Sequence, residues 1–241
     1  MARLLFPLLV ALLLPGCISV TVDGVDGMQG KSAAWLVLIS GNTRTHELVL
    51  SSVGDYCGKR QNAEADAKEA REARDAALDA GDPICETQDA YLDELASAFA
   101  PLDANGVKAL SIILSRDGET DQDVSSAPGV GTFSPVGAGN DGAFTGSLTY
   151  LNGKLIRGRA DAYECVDPDT QDLDLSQLFE TEEEPDLVDS WQLNGGTVDI
   201  TSGGDDTWTL DVEADLGADG TTIGSIETVF DAGKCEIVFA D

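Results

Sequence analysis

The sequence predicts a mainly β chain, an antiparallel sandwich or barrel with an internally repeated meander, into which an α-helical hairpin is inserted. Three observations carry that reading. Short β-prone runs alternate with Gly, Asn and Asp turns over most of the chain, the apolar period turns helical between residues 55 and 100, and two later segments share their opening and closing residues. With 42% hydrophobic and 6% aromatic residues among 241, the chain has enough apolar surface to fold around a core.

Residues 1 to 16 hold one positive charge, Arg3, then an apolar run from Leu4 to Leu14 broken only by Pro7, then Gly16 directly before Cys17. This is the pattern of a secretory signal, and the run is shorter than the roughly 20 residues a spanning helix needs. Leu14-Pro15-Gly16-Cys17 resembles the lipobox of bacterial lipoproteins. That resemblance implies a diacylglycerol on the Cys17 thiol, cleavage of the signal before it, acylation of the new amino group, and so a membrane partner reached through an N-terminal lipid anchor. Ile18 after the cysteine implies, by the same resemblance, passage to the outer membrane. Residues 17 to 30 then make a lipidated N-terminus and a Gly- and Asp-rich tether able to add a first edge strand, and residues 31 to 241 make a single β domain.

The run SAAWLVLIS, ending at Ser40, is continuously apolar; Gly41-Asn42 gives a turn, and His46 to Val53 follows as a second strand, which together predict a buried hairpin. Asp55 can cap a helix rich in alanine, at 63, 67, 70, 73, 77 and 80, with Glu64–Lys68 and Arg71–Asp75 at ion-pair spacing; Gly81 ends it. Asp82-Pro83 suits the cap and first position of another helix, in which Tyr91, Leu92, Leu95, Ala98 and Phe99 form one apolar face before Pro101. Residues 55 to 100 thus form the helical insert. Its alanine stripe serves close helix packing or offers a docking surface for a protein partner. Val107 to Ser115 is another strand.

Apart from Cys17, the chain has Cys57, Cys85, Cys165 and Cys235, an even set that suggests two disulfides in an exported protein. None belongs to a Cys-x-x-Cys pair of the kind that binds zinc. With Cys57 and Cys85 in the first turns of successive helices, the helix between them separates them by roughly 35 Å. A bridge needs Cα atoms within about 7 Å, so each of the two is expected to pair with Cys165 or Cys235.

Gly131-Thr132-Phe133 opens a segment closing at Asp161-Ala162-Tyr163-Glu164-Cys165, and Gly196-Thr197-Val198 opens one closing at Asp231-Ala232-Gly233-Lys234-Cys235. Each reads as strand, turn, strand, turn, strand, with FTGSLTYL and KLIRGRADAYEC in the first and WTLDVEADL and TIGSIETVF in the second. The most acidic stretch separates them, an expected loop at 166 to 189. Taken with the lipobox, the duplicated Gly-Thr and Asp-Ala-x-x-Cys ends and the helical insert resemble uncharacterised outer-membrane lipoproteins of Gram-negative bacteria of myxobacterial type. That resemblance implies a place in the cell envelope, facing the periplasm or the cell surface, and implies no activity.

Charge narrows the function classes. Arg3 is the only charged residue among the 14 basic and 44 acidic ones that falls in the signal, so the processed chain stays strongly acidic. Such a surface repels phosphate backbones and anionic lipid headgroups, and no nucleic-acid partner is expected. Asp167, Asp169, Asp172 and Asp174, within a run reaching Glu184, offer hard oxygen ligands for calcium, but they lack the order of an EF-hand loop and read first as a solvated, self-repelling loop. Asp117 to Asp123 and Asp219-Gly220 read first as turns. His46 is the only histidine, beside Glu47 in a strand, and no Gly-x-Ser-x-Gly turn supplies a nucleophile for it. Trp35, Trp191 and Trp208 suit the core or a sugar-binding face. No pattern implies a cofactor. The chain therefore reads as a non-catalytic, lipid-anchored envelope protein of binding or structural role, with a protein partner at the helices or a small ligand in the β core. The alternatives are a calcium-dependent surface adhesin or carbohydrate-binding module and, last, a hydrolase using paired carboxylates.

Overall fold

The computed structural model describes residues 19–22, 28, 30–40, 43–115, 130–135, 142–163, 188–204, 206–218 and 221–238. In chain order its elements are β1 (Ser19–Val22), β2 (Ser32–Ser40), β3 (Thr43–Ser51), α1 (Tyr56–Asp79), α2 (Ile84–Phe99), β4 (Lys108–Ser115), β5 (Gly131–Pro135), β6 (Gly142–Leu151), α3 (Leu155–Ala162), β7 (Val188–Gly203), β8 (Thr207–Ala218) and β9 (Thr221–Val238). The chain is mostly β with a helical insertion, as its residue patterns predict.

Hydrogen-bonded neighbours run β9, β2, β3, β4, β6, β7, β8 and back to β9, so seven strands close a barrel. The expected hairpin is there, β2 against β3 from Ser32↔Ser51 to Ser40↔Thr43. The seam is less local: β2 lies parallel to the end of β9, with Ala34 opposite Gly233 and Ile39 opposite Val238. β5 is a wedge, parallel to the start of β6 and antiparallel to β7, while the far end of β6 meets β7 directly. β1 pairs with Gly224 to Glu227 of β9, along the edge that β2 leaves uncovered.

Alternation along each strand sends one side chain in two to a shared interior. Trp35 and Val37 of β2, Leu48 and Leu50 of β3, Leu110 and Ile112 of β4, Phe133 of β5, Phe144 and Leu148 of β6, Val198 and Ile200 of β7, Leu210 and Val212 of β8 and Ile226 of β9 meet in one core. Around a β7 irregularity between Leu193 and Gly195, Gly196 has φ 88°, and a Cβ there would lie 2.0 Å from the Glu213 carbonyl oxygen. Only glycine fits that close approach.

The helices cover one outer face. Asp55 caps α1 as expected, its carboxylate accepting from the Gly58 amide at 3.3 Å. Gly81, at φ 86°, follows the end of α1. α2 buries Tyr91, Leu92 and Phe99 of the predicted apolar face, together with Gln88 and Ala96.

Several expectations need correction. KLIRGRADAYEC is not a strand: Leu155–Ala162 is helical. Ile156, Ala160 and Tyr163 recur at helical spacing and pack on α1 and α2 residues, and the run has no alternation for a sheet to use. The duplicated meander therefore holds only for the second copy, where β7, β8 and β9 run antiparallel in turn. In the first copy β5 and β6 are parallel and the third segment is α3. Asp231 to Cys235 does not close a repeat, because β9 runs on to Val238 with Ala232 inside and Cys235 against the hairpin. Of residues 17 to 30, β1 supplies the expected edge strand on β9, while Met28, 1% exposed, lies in the barrel core rather than in a tether. Pro83, not Asp82, holds the cap position of α2, and Glu64 and Lys68 pair with Arg60 and Glu72, each one turn further out.

Candidate functional site

The helical hairpin carries the groove among the described residues, and its seat on the barrel is built from few residues. Cys57 in the first turn of α1 is disulfide-bonded to Cys235 of β9, with Cα atoms 5.8 Å apart. Around the bridge, Ala34, Leu36, Val49 and Ile237 turn outward from the barrel and pack with Tyr56. Ser32 links strand to helix, its hydroxyl donating to the Val53 carbonyl at 2.5 Å and accepting from the Tyr56 amide at 3.1 Å. One turn further on, the Gln61 amide group donates to the Glu236 carbonyl at 3.0 Å. Burial in this seat pushes the Tyr56 hydroxyl above its ordinary value, partly offset by the nearby Arg60 guanidinium.

The bridge is one of the two pairings expected for Cys57. Cys85 is also disulfide-bonded, and its partner lies outside the described residues, as do Cys17 and Cys165.

Beyond the seat the two helices rise together, and the alanine stripe divides into two parts. Near the barrel, Ala63 and Ala67 are buried against Phe99. Further out, Ala70, Ala73 and Ala77 face Pro83, Ala90 and Tyr91 across a groove of about 430 Å³. Asp82, Glu86 and Glu94 line it with carboxylates. Arg74 lies over the Tyr91 ring at 4.8 Å and bonds Asp75 at 2.6 Å, so its charge is already engaged. The result is an apolar floor of small side chains beneath a negative rim.

Asp103 is a residue that sequence reasoning missed. It is 3% exposed in the connection after α2, and its carboxylate accepts from the Ile156 and Arg157 amides at 2.9 and 3.1 Å. It thereby caps α3, while Arg157 reaches Asp93 of α2 at 2.7 Å. Nothing in LDANG distinguishes such a cap from an ordinary turn, because the helix it serves is more than fifty residues away.

His46 and the tryptophans are core residues. Trp35 stacks on Trp208 with ring centroids 3.8 Å apart, and the Trp35 Nε1–H donates to His46 Nδ1 at 3.0 Å. Trp191 packs half-buried against the same core. These indoles therefore fill the barrel and leave no aromatic face for a sugar at Trp35 or Trp208. Asp167, Asp169, Asp172, Asp174 and Glu184, with Asp117 to Asp123 and Asp219-Gly220, lie outside the described residues. Among the described residues, no three His, Cys, Asp or Glu side chains are grouped to hold a metal ion. No protein-family model, no curated protein and no solved structure matches this chain.

Proposed function

We propose that the chain is a lipid-anchored cell-envelope protein, attached through Cys17, with a non-catalytic binding or structural role and a protein partner at the helical hairpin. The observation that carries the partner is the contrast between the barrel interior, filled by Phe133, Phe144, Leu110 and Leu210 at no more than 1% exposure, and the open groove between α1 and α2. That contrast favours the hairpin over a small ligand in the β core.

The anchor is supported by the lipobox-like residues and by the polarity of the barrel wall. A barrel that crosses a bilayer turns its apolar residues outward. Here β8 alternates the other way, with Leu210, Val212 and Ala214 buried inside and Glu213 and Asp215 exposed outside. Among the described residues no helix is long and apolar enough to cross a membrane. Both observations support attachment through the lipid on Cys17 rather than through the barrel wall.

Mass spectrometry of the protein extracted from Gram-negative membranes is expected to find Cys17 as an acylated N-terminus, and Cys17→Ser is expected to leave the protein soluble. An N-terminus elsewhere, without acyl groups, overturns the anchor. A photo-crosslinker at Ala77 is expected to capture an envelope protein that the same group at Thr222 on the barrel does not, with capture lost on Ala73→Trp, which fills the groove. Equal capture from both positions overturns the hairpin as the binding face.

A further inference from the structure

We infer that the strip of barrel wall made by β1 and the adjoining part of β9 is a membrane-contact surface, held at the lipid headgroups with no spacer. The inference rests on the acylation of Cys17 and goes beyond it, because an anchor alone does not say how far the domain stands from the bilayer.

The chain lengths decide the matter. β1 begins at Ser19, so only Ile18 separates it from the anchor residue. Two peptide steps span at most about 7 Å, whatever their conformation. One headgroup layer is itself roughly 5 to 7 Å thick, the difference between a bilayer's full and hydrocarbon thickness shared over its two faces. Ser19 therefore sits at or just above the headgroups once the lipid is inserted. β1 is not free to lift away, since all four of its residues are paired with β9, Ser19 opposite Glu227 and Val22 opposite Gly224. Six residues after β1, Met28 is already locked into the barrel core.

The neighbouring surface suits that position. β9 turns Ile223 and Val229 outward, 44% and 58% exposed, two of the few large apolar side chains the described surface presents. Glu227 and Asp231 lie between and beyond them on the same exposed row. The carboxylates of Glu227 and Asp231 exclude deep insertion into hydrocarbon and add no attraction to anionic headgroups, so the short link to Cys17, not surface charge, holds the strip at the membrane.

The test uses the full, acylated protein reconstituted into vesicles of phosphatidylethanolamine and phosphatidylglycerol, with a fluorophore at Val229→Cys and, as a second position on the strip, at Ser225→Cys. Strong quenching is expected from spin-labelled headgroups, and little from spin labels deep in the acyl chains. A 15-residue Gly/Ser insertion between Ile18 and Ser19, adding up to about 50 Å of reach, is expected to abolish the headgroup quenching. Acylated protein that is not quenched at either position, or whose quenching survives the insertion, overturns the inference. Absence of acyl groups in the mass spectrum would instead remove the anchor itself, a separate result that also removes this surface.

Discussion

The barrel and the helical hairpin bury their residues in different ways. In the barrel, large aliphatic and aromatic side chains from eight strands meet in one interior, and closure of the ring leaves few sheet edges to satisfy. In the hairpin, burial rests on small patches, Ala63 and Ala67 against Phe99 and then Tyr91 with Leu92, so less apolar area is removed from water. The hairpin makes up the difference with local devices: the Cys57–Cys235 bridge at its base, the Asp55 cap, and α3 clamped to its side by Asp103 and Arg157. One region holds together through its core. The other depends on its attachments, and that leaves its outer groove open.

Removing the bridge is the strongest way to break this contrast. It spans 178 residues of sequence, and chain-entropy arguments put the loss at about 2 to 5 kcal/mol. With Cys57→Ser and Cys235→Ser together, hydrogen exchange in α1 is expected to accelerate far more than in β3 or β8, with Trp fluorescence from the barrel preserved. Equal loss of protection in both regions would mean that the hairpin is part of the barrel's cooperative unit.

Leu110→Ala attacks the other side. Leu110 is 0% exposed, and its truncation is expected to cost about 2 to 4 kcal/mol in urea unfolding followed by Trp fluorescence. Asp103→Ala removes two amide contacts and is expected to cost about 1 to 2 kcal/mol, with exchange quickened in α3 and leaving β6 unaltered. The smallest effect concerns pH. Burial raises the Tyr56 hydroxyl above its usual 10.0, so the folded seat favours the neutral phenol. That contribution is complete below pH 10 and is lost as pH rises through the folded value; Tyr56→Phe is expected to flatten the alkaline loss of α1 protection.

Much of the architecture was legible because its causes are local. The alanines of α1, the Asp55 cap and Gly81 mark a helix without reference to anything else, and SAAWLVLIS followed by a turn marks a hairpin. The same helix length excluded a Cys57 to Cys85 bridge, but no local feature could choose Cys235 over Cys165. α3 carries a local mark in the helical spacing of Ile156, Ala160 and Tyr163, but the contacts that fix it are remote: Asp103 caps it and α2 supplies its packing. The parallel seam of β2 and β9 was invisible for the same reason, since register between strands two hundred residues apart leaves no mark on either. Of the site, the hairpin could be foreseen from its alanine stripe, while the Ser32 linkage and the depth of the groove depend on how the barrel wall meets the helix.

The seam between β2 and β9 sets a schedule for the growing chain. β2 is finished by Ser40, yet its partner residues across the seam do not appear until Gly233, and Cys57 lacks its native disulfide partner until Cys235 follows. The hairpin can coil as soon as it is made, whereas ring closure must await the final strand and its long-range pairing, which is intrinsically slow. Until then the ribbon stays open, with its two unmatched borders, β2 and β8, exposed to the surroundings. A chain emerging N-terminus first is therefore most in need of shelter until β9 arrives, and that last strand closes an adhesive ribbon into a ring.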